Sequence, residues 1–142
     1  MVGVVIATHG RLAAEILACA EAIVGPLAQA RSVSVSAEIP MDVAREALAA
    51  AIREVDDGEG VLVLTDMLGG TPANLALGFL EGRVDVVTGV NLPMLLKLST
   101  CRTAGAPLAD LARLISSYGQ KNITLASELL RARTRGGGAE TP

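Results

Sequence analysis

"GVVIATHG", residues 3–10, is an apolar run closed by a histidine and a glycine, and "GVLVLT" at 60–65 repeats the same texture before Asp66. A strand with one face in water alternates apolar and polar residues. A strand apolar at nearly every position has to be covered on both faces, which is the signature of a parallel sheet sandwiched between helices. These two runs decide the fold class: α/β.

Working outward, "RSVSVS" (31–36) alternates Val33 and Val35 with serines, as suits an edge strand, and "VDVVTG" (84–89) makes a fourth run. Helical periodicity fills the gaps. Apolar residues at 12, 13, 16, 17, 20, 23 and 24 fall on one face. Asp42 to Val55 repeats the spacing through Val43, Ala47, Leu48, Ala51, Ile52 and Val55. "TPANLALGFLEG" (71–82) opens with Thr71 as a potential cap and Pro72 in the first turn. "NLPMLLKLSTC" (91–101) and "APLADLARLISSYG" (106–119) read as two more helices, the second ending at Gly119. Strand alternating with helix predicts a three-layer, mainly parallel sheet in the common order 2-1-3-4, with right-handed crossovers. Asn122 to Leu125 reads as a short fifth strand, and the "RTRGGGAETP" end as a disordered tail.

The totals narrow the function. The 142 residues make one domain, half of them apolar (51%), with one Phe, one Tyr and no Trp. That palette packs a tight core and offers little for stacking flat aromatic ligands. A net charge of −3 argues against nucleic-acid binding, which needs a basic footprint. Cys19 and Cys101 form no metal spacing and read as reduced, small core residues. With neither a signal-like leader nor an apolar stretch of spanning length, the expected location is the cytoplasm, without membrane insertion.

In an open parallel sheet, ligands gather beyond the C-terminal strand ends. Four segments meet there: "THG" after the first strand, "SAEIPMD" after the second, "TDMLGGTP" after the third and "GVNLP" after the fourth. In the order 2-1-3-4, strands one and three are neighbours, so His9 and Asp66 would meet across the sheet edge. His9 is the only histidine of the chain. A carboxylate accepting from Nδ1–H fixes the imidazole tautomer and leaves the Nε2 lone pair free to attack. Gly69, Gly70 and the start of the Thr71 helix offer backbone N–H groups to phosphate oxygens, and the Thr71 hydroxyl could add a bond. Nucleophile, orienter and oxyanion cradle fit one task, transfer of a phosphoryl group, with neither metal nor cofactor.

"GVVIATHG", "LTDMLGGTPAN" and "GVNLPMLL", in this order and spacing, resemble the enzyme IIA domain of the mannose family of the bacterial phosphoenolpyruvate-dependent sugar phosphotransferase system (PTS). The resemblance covers residues 1–128, leaving 129–142 as a partly disordered C-terminal extension. It implies that His9 is phosphorylated on Nε2, that Asp66 binds the other ring nitrogen, and that Thr71 lies by the phosphoryl group. It implies HPr as donor and a IIB protein as acceptor, here on a separate chain, with an indirect association with IIC and IID permease subunits. It also implies a homodimer in which the C-terminal antiparallel strand crosses to the partner's sheet. Leu68 stands where the family often has Trp or Phe. Met67, Leu68, Leu92 and Met94 are the expected apolar docking patch around the site.

Rival readings fit less well. A phosphohistidine phosphatase needs an Arg before its nucleophile and a second His. A receiver domain needs acidic residues after the first strand to hold Mg²⁺, and Thr8 and His9 stand there. A flavodoxin needs aromatic loops. The phosphotransfer subunit of dihydroxyacetone kinase shares the histidine chemistry, but "GVNLPML" favours the mannose branch. A regulatory module whose phosphorylation is read by a partner, with no sugar transported, uses the same residues and stays open at this level.

Overall fold

The computed structural model describes residues 1–102 and 105–135. Its elements run β1 (Gly3–His9), α1 (Leu12–Val24), β2 (Ala30–Val35), α2 (Met41–Val55), β3 (Val61–Thr65), α3 (Thr71–Leu77), β4 (Val84–Thr88), α4 (Leu92–Cys101), α5 (Leu108–Lys121) and α6 (Ala126–Arg135). The four strands form one sheet in the order β2-β1-β3-β4. All three pairings are parallel, with Ala7 beside Thr65 and His9 beside Val35.

Strand alternation splits the core into two layers. Val4 and Ile6 of β1 and Leu62 and Leu64 of β3 face α1, α4 and α5, where they meet Ala20, Leu95, Leu98, Leu111 and Ile115. Val5, Ala7, Val61 and Val63 face the other way, onto Leu48, Ile52 and Val55 of α2 and Leu75 and Ala76 of α3. Both faces are covered, which is why the two runs carry no polar alternation. The edge strand β2 keeps Val33 and Val35 inward and its serines toward solvent.

Several details differ from expectation, each for a local reason. Helix α3 is short. Gly70, not Thr71, stands at its cap, and after Leu77 the chain tightens into i→i−3 bonds from Gly78 to Leu75 and from Phe79 to Ala76. Helix α5 runs through Gly119. That glycine is buried against Met94, and a Cβ on it would lie 2.2 Å from the Met94 Cε. Gly119 is therefore a packing residue rather than a stop, and the same contact holds Met94 inside the core at 4% exposure.

Cys19 is exposed on α1 and not in the core; Cys101 is half-buried. The apolar stripe of α1 is covered only in its middle, leaving Leu12, Ile23 and Val24 open. On α2, Ala44 takes the inward position expected of Val43, which is exposed.

Residues 123–125 form no strand within the chain and leave Ile123 and Leu125 exposed; the described sheet has four strands, all parallel. Helix α6 follows with no buried residue, and the boundary expected after residue 128 falls inside it. The expected disordered tail lies, from residue 136 on, outside the described residues.

Candidate functional site

The strand β1 is buried from Gly3 to Thr8 and opens at His9. Its last two residues build the turn into α1. Arg11, at the helix cap, makes no side-chain capping bond. The buried Thr8 hydroxyl takes that role, accepting from the Ala13 N–H at 2.7 Å and donating to the His9 carbonyl at 3.2 Å. On the β2 side, Ser34 Oγ donates to the Gly10 carbonyl at 2.5 Å. The backbone carrying His9 is thus held from both neighbours.

Asp66 follows β3 directly, and parallel pairing of β1 with β3 brings it beside His9 across 57 positions of chain. Its Oδ2 lies 2.7 Å from His9 Nδ1 and accepts from the His9 backbone N–H at 3.2 Å, while Oδ1 accepts from the Met67 N–H at 3.1 Å. Burial by itself raises the Asp66 pKa. The hydrogen bonds from the His9 ring and from its backbone outweigh this and hold the carboxyl below its ordinary value. An ionised carboxylate only accepts hydrogen bonds, so the proton of the neutral ring sits on Nδ1. Nε2 then carries the lone pair, and among the described residues no hydrogen bond ends on it. The ring is half exposed, whereas the carboxylate is 15% exposed. The site thus leaves the ring open to solvent and keeps the carboxylate that binds it largely covered.

Gly70 sits against the open edge of the ring. A Cβ on it would come within 2.6 Å of His9 Cε1 and 3.2 Å of Nε2, so the absence of a side chain there leaves Nε2 room. Thr71 joins His9 in lining a cleft of about 290 Å³. Gly69 is exposed in the turn between Asp66 and α3.

A family model, EIIA-man, described as the PTS system fructose IIA component, matches residues 3–115. The chain belongs to the EIIA-man family. The Escherichia coli (strain K12) protein YadI is 36% identical over 104 residues, 72% of this chain and 71% of that one. The PTS system fructose-specific EIIA component of Bacillus subtilis (strain 168) is 37% identical over 82 residues; the match spans 56% of either chain. Among solved structures, the phosphotransferase system component EIIA of Streptococcus agalactiae superposes with a TM-score of 0.80 at 30% identity, covering 90% of this chain and 99% of that one. Membership of this EIIA family assigns the chain a phosphoryl-transfer role in the PTS, alongside other PTS components. Among the described residues, no helix is long and apolar enough to cross a membrane.

Of the other residues singled out, Met67 and Leu68 are exposed beside Asp66, at 54% and 69%. Leu92 is half-buried against the core on the α4 side. Met94 is no docking residue, because it is buried against Gly119 as described above. Asn91 caps α4, its side-chain oxygen accepting from Met94 N–H at 3.1 Å, and its amide donates to the Gly119 carbonyl.

Thr8, which no sequence motif marks as functional, holds the turn after His9, and Ile39 and Met41 line the cleft next to His9. Their sequence signal is "SAEIPMD", one of the four segments beyond the strand ends, which carries both apolar residues.

Proposed function

We propose that the chain carries phosphoryl groups on His9, taking them from phospho-HPr and passing them to a IIB protein. The observation that supports this most is the single pairing of His9 Nδ1 with Asp66 Oδ2 at 2.7 Å, with Nε2 left free.

In the forward step the Nε2 lone pair attacks the phosphorus of the donor's phosphohistidine. The Nε2–P bond forms as the donor's N–P bond breaks, and the donor imidazole leaves with that electron pair. The transfer runs in line through a loose transition state, so the protein contributes position and charge compensation rather than covalent chemistry of its own. The proton stays on Nδ1, and the Asp66 carboxylate offsets the positive charge that the ring acquires. Thr71, with the Gly69–Gly70 turn, is positioned to contact phosphoryl oxygens. The second transfer, to the acceptor, is the reverse of the first with a different partner.

The phosphotransfer domain is taken as residues 1–128 with 129–142 as an extension, working in the cytoplasm and meeting IIC and IID permease subunits indirectly. A homodimer completes the assembly. Among the described residues the outer edge of β4 is unpaired, a groove of about 610 Å³ runs between β4 and α5 past Thr88 and Ser116, and the exposed segment 122–125 is available to a second copy. Sedimentation at micromolar concentration tests this; a species of one chain mass rejects it.

The function is tested by incubating the protein with phosphoenolpyruvate, enzyme I and HPr and mapping the acid-labile phosphate. Label on His9, lost in His9→Ala, is expected. Label that survives His9→Ala overturns the proposal.

A further inference from the structure

Two hydroxyls meet the turn that follows His9. Thr8 and Ser34 are partners in the parallel register of β1 and β2, so their side chains stand side by side on one face of the sheet. Val4 and Ile6 of β1 mark that face as the one α1 covers, whereas Ala7 packs on the opposite face toward α2 and α3. Alternation along β1 sends the His9 side chain to the Ala7 side. Both hydroxyls therefore lie across the strand from the ring, and what they hold is backbone. Thr8 is fully buried and bonds the Ala13 N–H and the His9 carbonyl. Ser34 is exposed and donates to the Gly10 carbonyl at 2.5 Å, while the Gly10 N–H donates to the Val35 carbonyl at 3.1 Å.

We infer that Ser34 is a positioning residue for phosphoryl transfer at His9, acting through Gly10. The inference rests on the reading of His9 as phosphoryl acceptor. Asp66 holds the ring and the His9 N–H, on the side of the residue that faces back into β1. The other side runs into Gly10, whose φ of +53° turns the chain toward α1. Glycine restrains its own dihedrals least of all residues. Here the restraint comes from β2: Val35 fixes the peptide plane before the Gly10 Cα and Ser34 the plane after it. Without the Ser34 bond the second plane is free, the turn can rock, and His9 moves with it about the Asp66 contact. Misplacing a reacting atom by about 1 Å can cost around a hundredfold in rate. The displacement here is smaller, because Asp66 and Thr8 keep their bonds. Ser32 supplies a control. It stands two residues earlier on the same exposed face of β2, in register with Ile6, and among the described residues no hydrogen bond joins it to the turn.

The test follows His9 labelling in the full chain by two donors, phospho-HPr and phosphoramidate. In Ser34→Ala the saturating rate should fall by about five- to tenfold with either donor, since the acceptor nitrogen is displaced whichever donor meets it. The half-saturating HPr concentration and the thermal midpoint should match wild type. Ser34→Thr, which keeps a hydroxyl, should restore the rate, and Ser32→Ala should leave it unchanged. A wild-type saturating rate in Ser34→Ala overturns the inference. An equal loss in Ser32→Ala does so too, because the effect would then belong to the strand and not to the bond. A raised half-saturating HPr concentration with unchanged phosphoramidate labelling also overturns it, by making Ser34 a docking residue. If neither donor labels wild-type His9, the acceptor reading itself falls, and this inference with it.

Discussion

One oxygen of Asp66 holds His9 at two points: Oδ2 accepts from the ring Nδ1 at 2.7 Å and from the backbone N–H at 3.2 Å. The pair fixes both the tautomer and the rotation of the ring. Asp66→Asn keeps the shape but loses the charge, and its amide can turn a donor toward Nδ1, which then becomes the lone-pair nitrogen. The rate of His9 labelling by phospho-HPr should fall by about a hundredfold or more, in the range of a lost acid–base partner. Circular dichroism should be unchanged. A wild-type rate in Asp66→Asn would show that the carboxylate is only a turn residue.

Gly70 offers a sharper probe of geometry. Its backbone lies so near the ring that an added methyl would stand 2.6 Å from Cε1. In Gly70→Ala the imidazole must swing away, and displacements of about 1 Å can cost around a hundredfold in rate. The ring is half exposed and can move without opening the core. We expect labelling to drop at least tenfold while the thermal midpoint changes little. Loss of both together would instead mark Gly70 as a folding residue.

Acid stability should report on Asp56, far from the site. The Gly58 N–H at 2.9 Å lowers its pKa, burial opposes this, and Arg83, reaching both carboxylate oxygens at 2.8 and 2.7 Å, lowers it further with help from Gly60. The folded value lies below the unfolded one, near 3.9. The contribution to stability is therefore complete above that pH and is lost as pH falls through the folded value. Urea unfolding of Asp56→Asn should show a shallower loss of stability below about pH 4 than wild type. Parallel acid limbs for the two proteins would exclude this linkage.

Arg102 is buried at 4% exposure, and its guanidinium donates to the carbonyls of Val2 at 3.1 Å and Gln29 at 3.2 Å. It ties the end of α4 to the strand entrances at the edge of the sheet opposite His9. Burial pushes its pKa down. Arg102→Met removes a donor from both carbonyls and should lower unfolding free energy by about 1–3 kcal/mol, measured in urea. If stability is unchanged, relief from burying the charge offsets the lost bonds.

Much of this protein follows from its sequence taken alone. The identity and order of the four strands and of helices α1 to α5, the two-faced burial of β1 and β3 and the edge character of β2 are set by periodicities a few residues long, which local propensity and burial enforce directly; the exposed segment 122–125, with no such burial, forms no strand within the chain. The choice of His9 and Asp66 was likewise legible, since both stand at strand ends where a parallel sheet collects its ligands. Distances between segments remote in the chain were decided only by tertiary packing. Strand register put Asp66 Oδ2 against Nδ1, the α3 entrance put Gly70 against the ring, and α5 closed over Met94 because Gly119 has no side chain. The approach of α2 to β2 turned Ile39 and Met41 into one wall of a cleft. Each depends on how two helices or strands meet in space, and no spacing along the chain encodes that meeting by itself.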